Sequence, residues 1–112
     1  MTQEDKELLL KDLCARLPYG VKIHKVLYEA TTLNERDIEA FRKGIDDMLI
    51  PYLRPISSMT EEEEIYYNTV YTRLKFYEKE DWLNAHHFDY RGLIEKGLAI
   101  EALEGMYEIK EK

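Results

Sequence analysis

Ile50-Pro51-Tyr52-Leu53-Arg54-Pro55-Ile56-Ser57-Ser58-Met59-Thr60-Glu61-Glu62-Glu63-Glu64 changes backbone character once, and that change decides the fold. Each proline pushes its predecessor out of helical geometry, so residues 50–55 must run extended as a rigid strap joining the two halves of the chain. At Thr60 a Thr-x-x-Glu capping box opens a helix, and Glu61–Glu64 fill its first turn, where the helix dipole favours anions. Tyr67, Val70, Tyr71, Leu74 and Glu78 then share one face, with Tyr66 and Tyr77 beside it, while Ile65 and Phe76 fall on the opposite side. A helix apolar on two sides is sandwiched in its domain or presents one side to a partner.

Before the strap, Thr2 followed by Gln3-Glu4-Asp5 predicts a capped first helix. Leu10, Leu13, Cys14 and Leu17 form its apolar stripe, and Pro18 and Gly20 stop it. This places Cys14 as a small buried hydrophobe. Val21–Tyr28 alternates as a half-buried strand whose phase slips near Lys25, through a bulge or because the strand ends. Thr32-Leu33-Asn34-Glu35 predicts the cap of a second helix carrying Ile38, Phe41, Ile45, Met48 and Leu49, which Gly44 weakens or ends.

After the third helix, Asp81 predicts the cap of a short helix through Trp82, Leu83 and Ala85 to about His87. Asp89 predicts the cap of another through Leu93 and Ile94, closed by Gly97 with Leu98 packing behind it. Leu98–Ala102 and Met106–Ile109 read as a hairpin. The expected fold is a single α+β domain over residues 1–112: three main helices, a short helical pair and a small antiparallel sheet that includes Val21–Ile23.

Composition bounds the function. The net charge of −7 is uneven: residues 1–59 hold nine Lys/Arg against ten Asp/Glu, residues 60–112 seven against thirteen. An acidic second half repels phosphate and disfavours nucleic acid as a partner. The polar, acidic start and the shortness of every apolar run predict no secretion signal and no membrane partner. One cysteine permits no internal disulfide, and with these features it implies a cytoplasmic protein.

Two stretches, Pro51-Tyr52-Leu53-Arg54-Pro55-Ile56-Ser57-Ser58-Met59-Thr60-Glu61-Glu62-Glu63 and Asp81-Trp82-Leu83-Asn84-Ala85-His86-His87-Phe88-Asp89-Tyr90-Arg91-Gly92-Leu93-Ile94-Glu95-Lys96-Gly97-Leu98-Ala99, resemble blocks of a family of small uncharacterised proteins. That family recurs in gut anaerobes, their prophages and other mobile elements. Leu8–Gly20 is similar to a third block, and the three cover roughly half the chain. Leu103 departs from the pattern, since members often carry proline there. The resemblance implies a prophage or mobile-element setting and carries no activity.

No catalytic, cofactor or metal motif stands out. His86 and Asp89 are three apart and could share an ion, but two ligands make no site, and adjacent helical histidines diverge by about 100°. His86 packing on Trp82 while Asp89 caps the next helix explains both residues without a metal. A His/Asp enzyme lacks a nucleophile elbow or phosphate loop beside His87 and Asp89. Leu93–Leu98 followed by a hairpin resembles the end of a winged helix, but Glu101, Glu104 and Glu108 on the wing oppose DNA. The expected function is that of a non-enzymatic interaction protein, binding a protein partner or itself through the 60–79 helix and the 82–99 block. Its contact residues would be Ile65, Tyr66, Phe76, Tyr77, Trp82, His86, His87, Tyr90 and Arg91. A small winged-helix-like regulator is the alternative, and a metal- or His/Asp-based enzyme the third reading.

Overall fold

A computed structural model describes residues 2–25, 28–44, 49–69 and 76–107, with the side chains of 25, 28, 29, 76 and 77 outside that description. The chain is an α+β domain, as the strap-to-helix change predicts. In order it forms α1 (Gln3–Arg16), β1 (Lys22–Lys25), β2 (Tyr28–Thr32), α2 (Glu35–Arg42), β3 (Ile50–Leu53), α3 (Glu61–Thr69), α4 (Phe76–Ala85) and β4 (Ile100–Glu101). Single 3-10 turns lie at Leu17–Tyr19 and Ile56–Ser58.

The strap is the middle of the sheet. Strand order is β2-β1-β3-β4, antiparallel from β2 through β3 and parallel between β3 and β4. Pro51 pairs opposite Ile23 at the start of β3, whereas β4 reaches only Tyr52 and Leu53, so the missing N–H costs no bond to β4. The sheet is therefore mixed rather than wholly antiparallel. Ile100 and Glu101 pair along β3 instead of folding back on Met106, and Ala102 N–H donates to Leu53 O at 2.7 Å. Residues 108 and 109 of the expected hairpin lie outside the described residues.

The register slip expected near Lys25 is present, between Ile23 and Lys25, and β1 also ends there. β2 then runs to Thr32, opposite Lys22, and Leu33 N–H donates to Val21 O at 2.9 Å. This pairing keeps Thr32 extended and moves the cap of α2 two residues along. Asn34 and Asp37 form the reciprocal box, at 3.0 and 3.1 Å. Gly44, at φ +76°, follows the last turn of α2 in the left-handed conformation that glycine adopts without penalty. Ile45 and Met48 lie outside the described residues.

Thr2 caps α1 as expected, in a box with Asp5. The buried stripe of α1 is rotated from the expected one, however. Leu9, Asp12, Leu13 and Arg16 point inward, Leu10 and Leu17 are only partly buried, and Cys14 is exposed. The rotation buries an ion pair, Arg16 Nε to Asp12 Oδ2 at 2.7 Å, with both side chains 0% exposed. Leu9, Leu13, Val21, Ile23, Leu33, Ile38, Phe41, Leu49, Leu53, Leu93, Leu98 and Ala99 make the core between helices and sheet.

Two expectations in the second half are corrected. Asp81 caps no helix: the chain is already helical from Phe76, and Asp81 sits exposed within α4. Asp89 does cap, accepting from Leu93 N–H at 2.9 Å and Ile94 N–H at 3.0 Å, but the residues it caps form a run of turns and not a helix. Gly92, at φ +72°, breaks helical continuity between Asp89 and the N–H groups it accepts. The predicted closure still forms: Gly97 is left-handed, Leu98 N–H donates to Leu93 O at 2.9 Å, and Leu98 is buried. Val70, Tyr71 and Leu74 of the expected third-helix face lie outside the described residues.

Candidate functional site

The Thr60 capping box builds one wall of a cleft. Thr60 N–H donates to Glu63 Oε1 at 2.9 Å and Glu63 N–H to Thr60 Oγ1 at 3.2 Å, which fixes the glutamate's rotamer at the start of α3. The same carboxylate takes both terminal nitrogens of Arg54, Nη2 at 2.6 Å and Nη1 at 2.9 Å. Its Oε2 also lies 3.1 Å from His86 Nδ1. Arg54 spends its remaining bonds on Ser58 O and His86 O, and its guanidinium lies 4.3 Å over the Phe88 ring. One buried carboxylate thereby joins the end of β3, the start of α3 and the end of α4. Burial alone would raise the Glu63 pKa. The hydrogen bonds from Arg54 and Thr60 and the nearby positive charge outweigh it and hold the carboxyl below its ordinary value.

The opposite wall comes from how α4 ends. His87 N–H donates to Asn84 O at 3.0 Å and Phe88 N–H to Leu83 O at 2.9 Å, a Schellman closure with His87 in the left-handed position at φ +63°. A non-glycine residue there costs roughly 1 kcal/mol. The site is held by backbone bonds on either side of Phe88: Arg54 N–H to His87 O at 2.7 Å and Asp89 N–H to Arg54 O at 2.8 Å. The His87 ring stacks on Tyr107, centroids 3.8 Å apart at 16°. The Tyr107 hydroxyl donates to Tyr52 O at 2.6 Å and accepts from Lys22 N–H at 2.8 Å. His87 Nδ1 is buried without a hydrogen-bond partner among the described residues. Burial, helped by the charges of Arg16 and Arg54, pushes its pKa down to about 4, so the ring is neutral at neutral pH.

Between the walls lies an open cleft of about 460 Å³, with Tyr66, Trp82, Ala85, His86, His87 and Tyr107 along it and Arg54, Thr60, Glu62 and Glu63 at its charged end. Its aromatic groups are ordered by stacking. Tyr66 lies on Trp82 at 5.1 Å and 15°, His86 packs on Trp82 at 4.5 Å as expected, and Phe88 lies behind at 5.8 Å. His86 is half-exposed and its pKa is lowered, by burial first and by Arg54, against the raising effect of Glu63.

Of the expected contact residues, Tyr66, Trp82, His86 and His87 converge on this cleft. Ile65 stands 59% exposed on α3, away from the buried Glu63. Phe76 and Tyr77 lie in α4, their side chains outside the described set. Tyr90 and Arg91 belong to a different construction. Arg91 Nε donates to Asp12 Oδ1 at 3.1 Å and its Nη2 to the Tyr90 hydroxyl at 3.1 Å, while Tyr90 donates to Asn84 Oδ1 at 3.0 Å. Arg16 reaches Phe88 O at 2.6 Å, and the guanidinium groups of Arg16 and Arg91 lie over the Tyr90 ring. This network fastens the 82–99 block to α1.

Arg54, Glu63 and Tyr107 are site residues that the sequence did not single out. An arginine between two prolines, shortly before a capping box, was the available signal. His86 and Asp89 do not converge: His86 Nδ1 faces Glu63, and both Asp89 oxygens accept backbone N–H groups. Among the described residues no group of three His, Cys, Asp or Glu could hold a metal ion, and no helix is long and apolar enough to cross a membrane. No protein-family model, no curated protein and no solved structure matches this chain.

Proposed function

We propose that the chain is a non-enzymatic protein-interaction protein that docks a protein partner in the cleft between α3 and α4. The observation that carries this is the Tyr66–Trp82–His86 stack along an open cleft of about 460 Å³. Stacked, half-exposed aromatic rings give large contact area at low entropic cost, which is what binding hot spots require. The buried Arg54–Glu63 pair supports the reading, because it holds the walls rigid and so reduces the ordering cost of binding. The resemblance to mobile-element proteins suggests a cytoplasmic prophage setting, and the −7 charge disfavours nucleic acid. The regulator alternative would need a recognition helix at Leu93–Leu98, where the chain forms turns.

A photo-crosslinking residue placed at Ala85, exposed along the cleft, should trap a discrete partner or a second copy of the chain in native cells. The same residue at Lys11, exposed on α1, should not. Equal adducts from both positions, or none from Ala85, would refute the docking surface.

A further inference from the structure

We propose that the occupant of the cleft is a cationic side chain of the partner, arginine in particular, clamped between the aromatic rings and the Glu62 carboxylate. This rests on the docking reading above and specifies its chemistry. Among the described residues Arg54 is the only Lys or Arg lining the cleft, and both its terminal nitrogens are already bound to Glu63, so it offers nothing to an incoming anion. Glu62, exposed at the same end, carries a carboxylate that no described residue pairs. Glu61 and Glu64, exposed on the same first turn, add negative potential around the mouth and would draw a basic segment in.

The remaining polar group points the same way. His86 holds Nδ1 3.1 Å from Glu63 Oε2 while its ring lines the cleft. Burial lowers the ring's pKa against the pull of Glu63, so His86 is no strong repellent to a cation. Tyr66, stacked on Trp82, brings an aromatic ring to the same cleft lining as Glu62 and His86. A planar guanidinium can stack on an aromatic face while its edge donates two bonds, and a lysine ammonium cannot do both. Phosphate or an acidic peptide would instead meet Glu62 with no free cation among the described lining residues to offset it.

Trp82 is the chain's single tryptophan, so its emission reports on the cleft alone. The full chain should be titrated with a capped Ala-Ala-Arg-Ala-Ala peptide and with peptides carrying citrulline, lysine or glutamate at the centre. The arginine peptide is expected to give a saturable change in Trp82 emission. The citrulline peptide, and the arginine peptide on Glu62→Gln, should each bind about fivefold more weakly, the scale of one exposed ion pair. The glutamate peptide should give no change. Citrulline binding as tightly as arginine, or Glu62→Gln binding arginine undiminished, overturns the cation assignment and leaves the docking reading standing. A flat response to every peptide, with crosslinking from Ala85 intact, also overturns it. Loss of crosslinking is what would remove the docking reading itself.

Discussion

Arg54 gives both terminal guanidinium nitrogens to the two oxygens of Glu63, at 2.6 and 2.9 Å, with each side chain about 7% exposed. Removing one member leaves the other charged, buried and unpaired, which costs about 3–5 kcal/mol. Arg54→Met should therefore lower the free energy of unfolding by about that amount in urea denaturation. Glu63→Gln keeps an acceptor for Thr60 N–H and should cost less. The double variant Arg54→Met with Glu63→Leu should be less destabilised than the sum of the two single changes.

The pH dependence of stability follows from groups of opposite kind. Burial, with Arg16 and Arg54 nearby, lowers His87 from 6.5 to about 4 in the folded chain. Its unfolded form takes up a proton first, so stability is full above about pH 6.5 and is lost as pH falls from there toward 4. Glu63 is depressed below 4.5, so its contribution is present above that value and disappears as pH falls through its folded pKa. Two successive losses should appear in chemical denaturation between pH 7 and 3. His87→Asn tolerates the left-handed backbone, and it should shrink the upper loss, which His86 shares, while leaving the lower one.

Tyr107 ties two strands with one oxygen, donating to Tyr52 O and accepting from Lys22 N–H. Tyr107→Phe keeps the ring against His87 but strands both backbone groups, at a cost of about 1–3 kcal/mol. Hydrogen exchange at the Lys22 amide should accelerate more than exchange within α2.

Asp12 compensates the buried Arg16 and also holds Arg91. Asp12→Asn should destabilise the domain by about 3 kcal/mol or more, measured by the same denaturation. The 82–99 block should loosen with it, seen as faster amide exchange at Leu93 and Ile94.

The sequence made local geometry legible and left long-range partnership hidden. Thr60 and Glu63 announce their box because its two halves lie within one helical turn, and Gly97 announces its closure because only glycine sits there freely. Nothing local says that Glu63 also receives Arg54, nine positions back, or that Asp12 meets Arg91 across the fold. The α1 stripe was misphased for the same reason: hydrophobicity points to Leu10 and Cys14, but a charged pair aimed at Phe88 O and Arg91 sets the buried face. The closure at His87 escaped because a left-handed helix end is normally read from glycine, and here tertiary bonds to Arg54 hold a histidine in that place. Of the cleft, Tyr66, Trp82, His86 and His87 were readable from composition and helical spacing, and Tyr107 was not. Nor was the charged wall that shapes the cleft.

The claim that the cleft between α3 and α4 recognises protein is tested most directly by panning a random peptide library on the immobilised chain, with Tyr66→Ser as the counter-screen. The expected result is enriched peptides that shift Trp82 emission and fail on Tyr66→Ser, with the circular dichroism of both proteins alike. Enriched peptides that bind Tyr66→Ser as well as the parent, or that bind without disturbing Trp82, would contradict it.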